Sequence, residues 1–441
     1  MNEGKKMNVF DLVSIGVGSV IGAGIFSMLG TGIYFSGRSV VIALLLGMFL
    51  VFLEYIRPFI LAAVFDLPGG TYDQSALTMP PVLIGAGALT TIIGNFGISV
   101  SGIAIAGYLA QLIPALAPYQ TIVAFLLMTG FFAISIGGNK LLAQFQNVMA
   151  ICMYIALALF IIFGIINRDP AAAASAPFMP QGVTGLLMGT AMMSFACNGA
   201  TNLPNFSKDA HDAKRTIPRA LILSTVVSGI LYALLGFAAT SALPYGEIAG
   251  QNLGFIAQRI MPNGVYLFFV VGGAIFALAT SILGGVGALK WPILAAAKDG
   301  WLPTVFQKTT KKGYPWVVML LMYLIAVIPI LGGFSLDSIV SLILVPAAIS
   351  SIAGNFIVWN LPQKFPKAWA DNSLHMSVGF YHFLLIVSTI AAVLLTIFTL
   401  TTQSLPMILA NLGMTAFLFI FAAVRYRSGK VHLAARDIYS E

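Results

Sequence analysis

Residues 16–26 read "GVGSVIGAGIF", four glycines in eleven positions. They sit inside a run with no charged residue from Leu12 to Gly37. A run of that length suits a membrane-crossing helix, yet each glycine in a helix interior costs roughly 1 kcal/mol relative to alanine. The glycines therefore mark either a seam of very close helix packing or a point where the helix is interrupted.

The rest of the chain supports a lipid setting. Of 441 residues, 59% are hydrophobic and 8% charged, and the mean hydropathy is +0.96. A soluble domain carries about 25% charged residues, so there is too little polar surface here to coat a water-soluble globule. The first apolar run follows Met-Asn-Glu-Gly-Lys-Lys with no small-residue cleavage site, which reads as a retained helix rather than a leader. Cys152 and Cys197 both lie in apolar runs, as packing thiols rather than a disulfide.

A span needs about 20 apolar residues, and twelve stretches qualify: 8–35, 38–64, 81–114, 119–137, 141–166, 184–204, 217–242, 264–289, 315–333, 337–360, 377–401 and 404–424. Twelve crossings put both termini on one side. Lys and Arg together number 22, and only Arg38, Arg168 and Arg259 fall on the opposite face. The nineteen others include Lys5, Lys6, Arg57, Lys140, Lys208, Lys312 and Arg436. Cations collect on the cytoplasmic side, so both termini are expected there, in a plasma membrane protein. The same rule accounts for the net charge of +8 without nucleic acid. Residues 171–176, "AAAASA", are filler in an outer connection.

If the first span unwinds at Gly22-Ala23-Gly24, a second half-helix starts near Ile25. Its first amides lack intrahelical partners. Unpaired amides in lipid must line a cavity or meet a ligand, and the positive end of the half-helix dipole suits a carboxylate. Close packing through small residues is the other reading. A second interruption, Asn198-Gly199 and Pro204 in "SFACNGATNLPNF" at 194–206, favours the ligand. Interrupted helices at corresponding places in two halves of a chain point to a binding site at the membrane midplane.

Four stretches carry a family resemblance: "IGAGIF" at 21–26, "DLPGGTYDQ" at 66–74, "KRTIPRAL" at 214–221 and "AAAKDGWLPTVF" at 295–306. In this order they resemble the amino acid–polyamine–organocation superfamily of transporters. The resemblance implies an all-α leucine-transporter-like fold, one transmembrane domain over 1–441. Two inverted repeats of five helices (about 8–166 and 184–360) precede two further helices (about 377–424), and helices 1 and 6 are unwound. It implies a substrate carboxylate on the amides of Gly22, Ala23 and Gly24. The substrate amine would meet carbonyls near Val20 and Ile21, and near Phe195, Ala196 and Asn198. Cys197 and Asn198 would lend limited polarity, and Tyr108, Phe26 and Phe195 are nearby aromatics, Phe195 the best placed as a gate. In sodium-coupled relatives two hydroxyls on the eighth helix help hold the ion, and Thr280-Ser281 stand there. The same hydroxyls commonly bond their own helix, and sodium-independent transport is favoured. Two departures are Ser207-Lys208-Asp209, where the family often has Ala-Glu-Glu, and Met153, where many members carry a lysine.

Other features are weaker. Glu54 and Arg57, three apart, read as a local ion pair, with a gate or proton role the alternative. Asp337 reads as a helix cap. His211, His375, His382 and His432 lack metal-ligand spacing, and there is no phosphate loop for ATP. The chain is therefore expected to be no enzyme and to need no metal or cofactor. Neither break has a charged residue beside it, and a buried, unpaired substrate charge is costly. The expected activity is secondary transport or exchange of small to medium neutral amino acids, with the bilayer and the substrate as partners. An amine or polyamine carrier, or a transport-dead sensor, is the alternative.

Overall fold

The computed structural model describes residues 6–67, 69–137, 139–170, 177–311, 313–401, 403–434 and 436, without the side chains of 23, 136–147, 208–209, 337 and 341. The "AAAASA" run, Lys5 and Lys312 lie outside the described residues, as do the side chains of Lys140 and Lys208.

The chain is a helical membrane protein. Among the described residues, nine helices are long and apolar enough to cross a bilayer. The expected first, sixth and ninth spans are broken or short. The first is α1 (Val9–Val20) followed by α2 (Ala23–Ser36), and α3 (Val40–Glu54) and α4 (Ile56–Val64) come next. After the loop helix α5 (Thr71–Thr78) come α6 (Pro81–Ile93), α7 (Phe96–Leu112), α8 (Gln120–Gly137) and α9 (Asn139–Ile166). The second half runs α10 (Gly182–Ala196), a 3-10 stretch Ala200–Asp209, α11 (Ala213–Ala242) and α12 (Leu253–Ile260). It continues with α13 (Phe276–Lys298), α14 (Trp316–Leu331), α15 (Leu336–Ile357), α16 (Val378–Thr401) and α17 (Leu405–Arg427).

The helices sort by contact. α2 and α3 pack on α10, α1 and α3 pack on α11, α7 and α8 on α14, α15 on α16, and α17 on α6. Large apolar side chains are exposed on the outer faces, among them Ile122, Leu126, Ile155, Ile230, Ile390, Phe417 and Ile420, as a lipid solvent requires.

One local expectation is corrected. Glu54 and Arg57 form no ion pair; among the described residues the pairs are Lys214–Asp371 and Arg215–Asp212. The i, i+3 spacing presupposes a continuous helix. A proline ring clashes with the carbonyl four residues back, so Pro58 evicts the Glu54 carbonyl from the ladder and the helix breaks at Tyr55. Ser351 and Ser388 hydroxyls then donate to that carbonyl, each at 3.3 Å. Ser335 stands at the N-cap of α15, its side chain accepting from Ser338 N; the side chain of Asp337, the expected cap, lies outside the described residues.

At one end, α5 ties distant elements together. Asn205 Oδ1 accepts from Thr71 N and Oγ1 at 3.0 Å, capping α5 from another helix. Tyr72 OH donates to Asp299 Oδ2 at 2.7 Å. Burial and the Asp299 charge push the Tyr72 phenol up, so it keeps its proton. Arg436 donates to the Ala76 and Met79 carbonyls, seating the tail against α5. A buried hydrogen bond to a charged group contributes about 1.5–3 kcal/mol. Tyr72→Phe is expected to lower stability by about that amount, read as a lower thermal midpoint of the solubilised protein.

Candidate functional site

The two interruptions meet. α1 ends at Val20, and Ile21 and Gly22 leave helical geometry, Gly22 with φ −156° and ψ −142°. The first helical bond of α2 runs from Phe26 N to Gly22 O at 3.5 Å. The amides of Ala23, Gly24 and Ile25 are therefore without intrahelical acceptors. The break falls at Ile21-Gly22, so Ala23 and Gly24 already belong to the first turn of α2. On the other strand of the crossing, α10 ends at Ala196, and Gly199 precedes the 3-10 stretch.

Glycines permit the crossing. A Cβ on Gly24 would lie 2.2 Å from Ala196 Cα, and one on Gly199 would lie 2.2 Å from Ser19 O. A Cβ on Gly22 would lie 1.9 Å from Ser281 Oγ. Close packing does not exclude an open face, because Gly22 and Gly24 also line a cavity.

That cavity has a volume of about 250 Å³. The crossing contributes Ser19, Val20, Gly22, Gly24, Phe195, Ala196, Asn198, Thr201 and Asn202. The opposite wall is Gly94, Gly97, Ile98 and Ser101, then Ser281, Gly284, Gly285 and Leu289 of α13, and Ile343 and Leu344 of α15. No charged side chain appears among these lining residues. Asn198 Oδ1 accepts from Thr201 Oγ1 at 2.6 Å, leaving its amide hydrogens for the cavity. Phe195 reaches across towards Gly97.

Several residues singled out by the sequence sit elsewhere. Ile21 is buried in the core and is not a lining residue. Cys197 points at α3, its Sγ 3.7 Å from Leu44 O, and both cysteines are free thiols. Tyr108 lies beyond the cavity: its OH donates to Phe26 O at 2.7 Å, and its ring meets the Phe26 ring edge-on at 6.4 Å. There it packs against Gly254 of α12, while Gln251 closes on Gly30, so this end is sealed. Thr280 and Ser281 face different spaces. Thr280 Oγ1 donates to Ala277 O at 2.8 Å and lines a second cavity of about 440 Å³ with Asp11, Ser14 and Phe206. Ser281 Oγ is buried with no partner among the described residues.

The sequence did not point to Tyr232. From α11 its OH reaches Val20 O at 2.7 Å and Ala196 O at 3.0 Å. One buried hydroxyl thus joins the last helical carbonyl of each interrupted segment. These are two of the carbonyls expected to meet a substrate amine, and each keeps a second lone pair.

An uncharged cavity held inside a membrane helix bundle, between two broken helices, suits the passage of a small solute. The chain belongs to the amino acid permease family, whose model matches residues 7–426. It is 26% identical over 327 residues to a methylthioribose transporter of Bacillus subtilis, covering 69% of each chain. It is 25% identical over 337 residues to an aspartate-proton symporter of that organism, covering 70% of this chain and 63% of the relative. A branched-chain amino acid permease, also of Bacillus subtilis, is 21% identical over 330 residues, with 70% of each chain covered.

Two substitutions test the crossing. Tyr232→Phe removes the shared proton and leaves the ring; a buried hydrogen bond of about 1.4 kcal/mol corresponds to about a tenfold loss of uptake, at unchanged expression. Gly24→Val is expected to abolish substrate binding, since its side chain would push Ala196 away and fill the cavity wall. Binding at the wild-type level in that variant, measured by scintillation proximity, would show that Gly24 faces no substrate.

Proposed function

We propose that the protein is a secondary transporter of small to medium neutral amino acids in the plasma membrane, working by alternating access. The observation that carries this reading is the absence of any Asp, Glu, Lys, Arg or His from the lining of the central cavity, among the described residues. A cationic or acidic substrate side chain would lie there without a counter-charge, at a cost of several kcal/mol. Membership of the permease family and the branched-chain amino acid permease among the relatives support the substrate class.

In this reading the twelve expected spans form two inverted repeats of five followed by two more helices, with both termini cytoplasmic. The substrate carboxylate rests on the free amides around Gly22, Ala23 and Gly24, at the positive end of α2. Its ammonium group faces free carbonyls at the ends of α1 and α10. Phe195 closes over the side chain, and Asn198 reads its polarity. Coupling is sodium-independent, as exchange or weakly proton-linked uptake. The support is geometric: Thr280 bonds its own helix and Ser281 sits against Gly22, so the two hydroxyls do not converge on one point.

Thermal unfolding of the purified protein with each free amino acid tests the substrate. A ligand that binds only the folded state stabilises it by RT ln(1 + [L]/Kd). Neutral amino acids are expected to raise the midpoint, and arginine, lysine and aspartate to raise it less or not at all. Stabilisation by a charged amino acid alone would overturn the reading. Uptake into proteoliposomes with choline replacing sodium on both sides, at fixed pH and zero potential, is expected to persist. Loss of flux without sodium, together with loss in Ser281→Ala, would make Ser281 an ion ligand. Phe195→Ala is expected to impair uptake, and Asn198→Leu to shift the substrate rank towards apolar amino acids.

A further inference from the structure

Arg57 makes no ion pair among the described residues, although Glu54 lies within electrostatic reach of it. Its guanidinium carries five N–H donors, yet Nη1 meets only a weak acceptor, Met79 Sδ, at 3.6 Å. Nε is buried with no partner among the described residues. Glu54, the nearest carboxylate in sequence, stands across the break at Tyr55 and forms no ion pair with it. A charge removed from water is costly unless paired and hydrogen-bonded. The buried Nε–H is thus open to an acceptor from outside the chain.

The space for it is present. Arg57 lines a cavity of about 220 Å³, separate from the central one, whose lining among the described residues includes Tyr55, Gln74 and Ser350 but no Asp or Glu. Gln74 is almost fully buried. This cavity stacks directly on the central one along three shared segments. Thr90 and Thr91 stand one turn before Gly94, Ile293 one turn after Leu289, and Ala347 one turn after Ile343 and Leu344. A helical turn rises about 5.4 Å.

We propose that this cavity is an anion site in which the Arg57 guanidinium holds a small carboxylate. A planar fork of two parallel N–H donors matches a carboxylate better than it matches a spherical halide, and the Gln74 amide is a further donor group in the lining. The site does not depend on the substrate of the central cavity. The carboxylate comes either from a free small acid or from an amino acid that has left the central cavity one turn away.

The test is thermal unfolding of the purified full-length protein in phosphatidylcholine nanodiscs, with acetate replacing chloride at constant ionic strength and pH. The midpoint is expected to rise saturably with acetate. The rise should vanish in Arg57→Gln and shrink in Arg57→Lys, which keeps the charge but not the fork. Gly87→Leu supplies an independent arm: Gly87 lines the cavity, and a Cβ there meets nothing within 4 Å. The first carbon of its side chain has room there, the rest enters the cavity, and the acetate effect should be lost. Acetate behaving no differently from chloride overturns the proposal, as does an undiminished rise in Arg57→Gln and Gly87→Leu. Repeating the titration with L-alanine, as the difference between wild type and Gly87→Leu, separates the sources. A difference assigns the amino acid carboxylate to the site as well, and no difference beside a positive acetate result assigns free acids.

Discussion

The architecture depends on two polypeptide backbones touching inside a membrane. Gly24 lies against Ala196 and Gly199 against Ser19, each too close for a β-carbon between them. That approach is possible only where a helix is interrupted and side chains are absent. It brings the free amides of one segment and the free carbonyls of both into the same small space. Unpaired backbone groups in lipid cost several kcal/mol each, so the crossing persists only if something satisfies them. Part of that work falls to the Tyr232 hydroxyl, and the rest is left to the cavity. The surrounding helices are arranged around this requirement. α11 brings the tyrosine, α13 presses Ser281 against Gly22, and α15 with the segment around Gly94–Ser101 closes the far wall.

Much of this is legible in the sequence, for a physical reason. Glycine and asparagine in an apolar run are locally unfavourable, so Gly22-Ala23-Gly24 and Asn198-Gly199 stand out from their neighbours by composition alone. The break itself falls a little earlier, at Ile21-Gly22, because the first helical bond of α2 uses the Gly22 carbonyl. Other residues give no such sign, because their roles are set by packing between distant segments. Tyr232 is an ordinary aromatic in an apolar helix, and its partner Val20 lies 212 residues away. Ser101, Thr201, Asn202 and Ile343 likewise carry no local signal. Cys197 shows the converse. Adjacency in sequence to Asn198 suggests a shared cavity, yet one step along the chain turns its thiol to Leu44.

Helix continuity is what misleads the reading of Glu54 and Arg57. Spacing rules assume an unbroken helix, and Pro58 removes that condition. The outcome is an arginine that lines a cavity and makes no ion pair with Glu54. The same proline releases the Glu54 carbonyl to Ser351 and Ser388, joining the expected second, tenth and eleventh spans at a single oxygen.

The two ends of the molecule are fastened differently. Near α5, the ties are side-chain hydrogen bonds at a polar margin, with Asn205 capping Thr71. Water can take over the Asn205–Thr71 partners when they separate, while the Tyr72–Asp299 bond is buried. At the Tyr108 end, the phenol bonds Phe26 O in a dry aromatic setting, and the Gly30 and Gln251 backbones are pressed together. Water reaches the Gln251 side of this contact, but not the Tyr108 hydroxyl. Parting the α5 end is thus the less costly motion. In the proposed orientation, an empty carrier would rest with its cytoplasmic side the more readily opened. Exposure towards the exterior would be the minority state, drawn out only by a solute that binds it better.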